Sequence, residues 1–217
     1  MTHIVLLGDS VFDNAPYVAS GRDVTSTLRR HLPPGRQATL LAQDGAMLAN
    51  VRDQAQSLPS EATHLFVSAG GNDGLRWTGI FSEPASSVAE ALGRLAAVRR
   101  EFQTRYQAML DEVSASAPGL PIAICTIYDV RFPEPTFREV VLTALTLLND
   151  VITREAGQRG LPVLDLRTLL DEEADFANPI EPSAQGSEKL ASAILEVVQE
   201  HDFESIRSSI FAGSKPS

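Results

Sequence analysis

The chain has little cysteine, no long apolar run and too few bases to balance its acids. Cys125 is the only cysteine, so no disulfide can form within the chain; it sits inside an apolar run and reads as a small core side chain. No apolar stretch approaches the ~20 residues of a membrane-spanning helix. The 18 Lys and Arg against 28 Asp and Glu leave a net charge of −10. That disfavours nucleic acid and anionic membrane surfaces, both of which need clustered cations. There is no internal repeat and no linker-like stretch. The first strand starts three residues in, which leaves no room for a signal peptide, and a cytoplasmic location is expected.

What is present is the composition of a folded α/β domain: 217 residues, 43% hydrophobic and 21% charged. The chain is organised around His3–Asn14. Ile4–Leu7 is a short unbroken apolar run, as expected of a strand buried on both faces of a parallel sheet. Gly8-Asp9-Ser10 ends it with a flexible residue, a carboxylate and a hydroxyl. Ligands of open α/β sheets bind beyond the carboxyl ends of the strands, so Ser10 stands where a nucleophile could act. A helix cap or a phosphate-cradling hydroxyl fits the tripeptide equally well.

Further apolar runs follow at Ala38–Ala42, His64–Ala69, Pro121–Thr126 and Leu161–Leu166, separated by helical patterns. Asp23–Leu32 reads as a helix, and another ends near Gln56. A long one carries Val88, Leu92, Leu95, Phe102, Tyr106, Met109 and Val113 at steps of three, four and seven. Ser87/Glu90 and Thr136/Glu139 have capping-box spacing. Five strands alternating with helices predict a three-layer α/β/α sandwich on a five-stranded parallel sheet. The domain is expected over residues 1–201. Residues 202–217 are expected to form a weakly ordered tail, or a packing or partner-binding segment through Phe203, Ile206 and Phe211.

Three loops at one end of that sheet collect the chemistry. Gly8-Asp9-Ser10 follows the first strand, Asp44-Gly45 the second, and Gly70-Gly71-Asn72-Asp73 the third. Acyl transfer needs a nucleophile and donors aimed at the developing oxyanion. Ser10 offers a hydroxyl, Gly45 an unobstructed N–H and Asn72 a side-chain amide. Read singly, the glycines equally suit tight turns, and Asn72 could satisfy loop backbone.

Gly8-Asp9-Ser10, Gly45, Gly70–Asp73 and Pro182-Ser183-Ala184-Gln185-Gly186 together resemble the sequence blocks of the SGNH, or GDSL, hydrolases over residues 3 to about 200. These are serine esterases, lipases, thioesterases and carbohydrate deacetylases. The resemblance implies a flavodoxin-like strand order 2-1-3-4-5, Ser10 as nucleophile, and the Ser10 backbone, Gly45 and Asn72 as the oxyanion hole. One block departs. Where the family carries Asp-x-x-His before the Pro-Ser, this chain reads Asn178-Pro179-Ile180-Glu181. His3, His31, His64 and His201 all fall at strand starts or helix ends away from the site.

Glu181 is therefore the candidate base. A free Glu has pKa about 4.3 against about 6.5 for His, a gap costing at most roughly 3 kcal/mol. Asn178 is expected to donate its amide to the Glu181 carboxylate and hold it. Asp9, Asp73, Trp77, Phe81, Tyr128 and Phe132 are expected to bind substrate from the site's rim and its loops 74–85 and 127–135. The expected partner is a small ester or acyl substrate, with no cofactor, metal, nucleic acid or membrane; a homo-oligomer is left open. The alternative is a catalytically impaired relative that binds an acyl or carbohydrate ligand. A nucleotide or flavin site is disfavoured by Asp9 and Asp13 flanking Ser10, and a metal site on Asp175 and Glu181 lacks ligand spacing.

Overall fold

A computed structural model describes residues 2–213. The elements run β1 (His3–Gly8), α1 (Val24–His31), β2 (Gln37–Leu40), α2 (Leu48–Ala55), β3 (His64–Ser68), α3 (Gly71–Arg76) and α4 (Val88–Ser116). Then come β4 (Ile122–Cys125), α5 (Pro135–Arg159), β5 (Val163–Asp165), α6 (Leu166–Leu169), β6 (Phe176–Asn178), β7 (Glu181–Pro182), α7 (Ala184–Glu200) and β8 (Ile210–Ala212).

β1 is buried along its whole length because both faces of the sheet are covered. Its side chains alternate between two cores, as strand period requires. Val5 and Leu7 join Val51, Tyr106, Met109 and Ile152 beneath α2, α4 and α5. Ile4 and Leu6 join Val24, Leu28, Leu190 and Ile194 beneath α1 and α7. β1 pairs in parallel with β2 and β3, so its carboxyl end opens between two crossovers. That is the switch point at which a ligand cleft is expected.

The sheet has six strands in the order β2-β1-β3-β4-β5-β8, not the expected five. β8 lies parallel to β5, matching Val163 to Ile210 and Leu164 to Phe211. It covers backbone groups that β5 would otherwise present as an open edge. Three residues are too few to show a strand period, and so the sequence hid it. Phe203 and Phe211 pack against the α1/α7 core while Ile206 is exposed. Residues 214–217 of the expected tail lie outside the described residues.

Two helix starts also differ. α5 is capped by Glu134, which accepts from Thr136 N at 2.9 Å and also from Phe137 N, instead of by Thr136. At α4, Ser87 Oγ accepts from Glu90 N at 3.1 Å, but Glu90 takes the N–H of Ser86 in place of that of Ser87. Among the described residues no helix is long and apolar enough to cross a membrane.

Candidate active site

Ser10 stands one turn beyond β1 because of Gly8. At φ 125°, a Cβ on Gly8 would lie 1.8 Å from the Ser68 carbonyl oxygen, so only glycine lets the ends of β1 and β3 approach this closely. The buried Gln54 amide then clamps the same residue, accepting from Gly8 N at 2.7 Å and donating to Gly8 O at 2.8 Å. The turn closes with Phe12 N and Asp13 N donating to Asp9 O. Ser10 is left lining a cleft of about 980 Å³, a volume that includes the solvent at its open mouth.

The loop after β2 is a tight turn, Ala46 N donating to Gln43 O at 3.0 Å, with Gly45 at φ 75°. Among the described residues the Gly45 N–H has no hydrogen-bond acceptor. Asn72 lies in the first turn of α3, a helix where the sequence suggested loop, and its Nδ2 donates to Ala46 O at 2.9 Å. One amide hydrogen thus pins the Gly45 turn to α3, and the other is left over. Asn72 lines the cleft with Ser10; Gly45 is exposed beside it and does not.

Glu181 enters the same cleft from β7, which pairs with β6 in a short antiparallel ribbon. Both neighbouring carbonyls are gripped: Tyr128 Oη donates to Ile180 O, and Asn14 Nδ2 donates to Pro182 O at 3.0 Å. Glu181 as a residue is only 5% exposed, and its Oε2 is buried without a hydrogen-bond partner among the described residues. Burial pushes Glu181 up to about 7, aided by the charge of Asp44 and opposed by the facing Ser10 hydroxyl. That hydroxyl is close enough to favour the ionised carboxylate, although no regular hydrogen bond joins the two side chains. Such looseness is usual before substrate binds. Asp9, buried on the other side, is also raised to about 7, by burial first and then by the Glu181 carboxylate, against the Val11 N–H that it accepts at 3.2 Å.

Asn178 does not hold Glu181 as expected. Its Oδ1 accepts from Ile180 N at 3.0 Å and closes a local turn, while among the described residues no hydrogen bond runs from its Nδ2 to the carboxylate. Asp73 also departs from expectation: it turns from the cleft to accept from Leu48 N at 3.0 Å, 4.0 Å from Arg105. Phe132 packs on Phe137 with ring centres 5.3 Å apart and does not line the cleft. Asp9, Trp77, Phe81 and Tyr128 do line it. Asp175 is committed to Lys189 at 2.8 Å.

None of the four histidines lines the cleft. His3 contacts Thr39 and His64 contacts Thr63, both at 2.8 Å, His31 meets Glu188 at 3.1 Å, and His201 packs on Phe203.

Sequence reasoning gave no role to Asn14, Gln54 or Asp44. Each is a polar residue in a turn or amphipathic helix, with nothing local to say that it reaches Glu181 or Gly8. Asn14 is fully buried and makes three bonds: to Pro182 O, to Ser187 Oγ at 2.8 Å, and from Val24 N at 3.0 Å.

A family model described as GDSL-like lipase/acylhydrolase matches residues 6–189. Among solved structures, an extracellular lipase from Streptomyces rimosus matches with a TM-score of 0.66 at 17% identity, covering 90% of this chain and 99% of that one. A lipolytic G-D-S-L family protein from Veillonella parvula matches with 0.69 at 15%, covering 93% and 100%. An inhibitor-bound aryl esterase of M. smegmatis matches with 0.66 at 13%, covering 92% and 99%. At such identities the likeness is one of fold. No curated protein matches the sequence.

Proposed function

The chain belongs to the GDSL-like lipase/acylhydrolase family, and from that premise we propose that it is a serine ester hydrolase with Ser10 as nucleophile and Glu181 as base. As Ser10 Oγ bonds to the ester carbonyl carbon, its proton passes to the Glu181 carboxylate. The resulting oxyanion is received by the N–H groups of Ser10 and Gly45 and by the remaining amide hydrogen of Asn72. Collapse breaks the bond to the alcohol oxygen, which takes the proton from Glu181. Water then attacks the acyl-serine, again giving its proton to Glu181. Ser10 leaves with that proton and the carboxylic acid is released.

The observation that carries this reading is the Glu181 carboxyl buried at Ser10 with one oxygen unpartnered among the described residues. Burial brings its basicity into the imidazole range of about 6.5, so most of the deficit of a free glutamate is removed. Asn178 enters as a positioning residue, holding the turn that delivers Glu181. Asp9 enters as a buried carboxyl beside the nucleophile, and Trp77, Phe81 and Tyr128 as walls of the substrate site.

A fluorophosphonate probe tests the proposal. Labelling is expected on the Ser10 peptide, read by mass spectrometry, and is expected to be lost in Ser10→Ala. Asn72→Ala is expected to lower kcat by about 10²–10³, the scale of one oxyanion donor. A folded protein that neither labels nor turns over short p-nitrophenyl esters would be a ligand-binding relative instead.

A further inference from the structure

The cleft does not stop at Ser10. It continues between the first half of α4 and α5, both of which line it. Every buried residue of α4 lies at Phe102 or beyond. Before that, Leu95 and Val98 line the cleft only half-buried, and Val88 and Leu92, outside its lining, are 77% and 59% exposed. Opposite, Ala144 and Leu147 of α5 are only half-buried. Further along the helices, Gln103 and Gln107 bridge to the buried Glu155 at 3.2 and 2.7 Å and the pair closes. Apolar helix faces normally pack to crystal-like density, so an apolar gap of this kind is a place for an apolar occupant.

The polar side chains of Arg99 and Thr78 that line the gap are both engaged within the protein. The Arg99 guanidinium is drawn off to Asp150 at 3.4 Å, and the Thr78 hydroxyl donates to Leu75 O at 2.8 Å. Trp77, Ile80 and Phe81 roof it, and Leu145 and Leu148 line it from α5.

We propose that this gap is the acyl subsite, taking a linear aliphatic chain of medium length whose carbonyl sits at Ser10. Burial of each methylene is worth at most about fourfold in affinity, so chain length decides which ester is turned over. The kinetic part rests on the serine-hydrolase reading; the binding part does not.

The test has two arms. In Ser10→Ala, octyl methyl ketone is titrated against the fluorescence of Trp77, the only tryptophan in the chain. Saturable binding is expected, at least about tenfold tighter than for butanone. In wild type, p-nitrophenyl octanoate is expected to exceed the acetate in kcat/KM by at least about tenfold. Ala144→Phe and Leu95→Phe, on opposite walls and each filling empty space, are expected to weaken ketone binding and to cut that ratio about tenfold or more. Circular dichroism and Tm identify a variant that fails to fold, in which case the other carries the test. Ketone binding without any esterase activity supports the subsite and overturns the serine-hydrolase reading. Equal turnover of the two esters, no ketone binding, or binding undiminished in both folded variants overturns the subsite.

Discussion

Asn14 and Pro182 are 168 residues apart in sequence, and Nδ2 of the first donates to the carbonyl of the second at 3.0 Å. The bond ties the turn that follows Ser10 to the residue that follows Glu181. Asn14 also takes the N–H of Val24 and donates to Ser187 Oγ, so α1, α7 and both halves of the site meet on one buried amide. In Asn14→Ala the carbonyl and the N–H lose their partner in a dry environment, at a cost of about 1–3 kcal/mol per orphaned group. The variant is expected to melt earlier. At temperatures where it is folded, kcat is expected to fall more than KM rises, because Ser10 and Glu181, the proposed nucleophile and base, lose their common anchor. Steady-state kinetics beside a thermal melt separate these effects; equal kcat in a destabilised variant would make Asn14 purely structural.

Hydrolysis of short esters is expected to rise with pH through about 7, the value to which burial pushes Glu181, since only the ionised carboxylate accepts the Ser10 proton. Glu181→Gln is expected to flatten that limb and lower kcat by about 10²–10⁴, the range of a lost general base. A pH–rate profile of wild type that is flat between pH 5 and pH 9, or a fully active Glu181→Gln, would remove Glu181 from the mechanism.

Asp44 raises Glu181 by its negative charge, and it is held by Tyr17 Oη at 2.6 Å. Asp44→Asn removes that charge and makes Glu181 easier to ionise. The rising limb is expected to move to lower pH, and the shift to shrink in high salt as the exposed charge is screened. A movement toward higher pH would contradict the electrostatic account.

Asp9 bears on stability. Its carboxyl is raised in the folded protein from 3.8 to about 7, so the protonated form is the one that folding favours. Its contribution is fully present below the unfolded value of 3.8 and is lost as pH rises through about 7. Asp9→Asn keeps the acceptor for Val11 N and cannot ionise. It is expected to melt above wild type at pH 8, by up to about 4 kcal/mol from the shift alone, and to lose most of that advantage near pH 4. Melting curves at the two values decide it.

The positions that the sequence displayed are those whose signal is local. Ile4–Leu7 followed by Gly8-Asp9-Ser10 is a buried strand meeting a turn, and the apolar runs after it could only be shared out between two faces of one parallel sheet. Glu181 could be located because the resemblance of Pro182–Gly186 to a family block fixes the register before it. The Asp73 carboxyl was not legible in the same way: a residue next to Asn72 on a helix points elsewhere, and the sequence had suggested a loop there. β8 was hidden because three residues carry no period.

The sequence by itself determined the α/β architecture, the end of the sheet at which the candidate site residues gather, and the absence of a histidine from the position before Pro182. The first two follow from periodicity and spacing along the chain, the third from the resemblance of its blocks to the family. Tertiary structure alone decided that Asn178 closes its own turn while Asn14 and Tyr128 hold the backbone around Glu181. It alone decided that Glu181 and Asp9 are raised to about 7, and that α4 and α5 both line an apolar gap beside Ser10. Burial, desolvation and empty space belong to groups brought together from distant parts of the chain, and no stretch of sequence contains them.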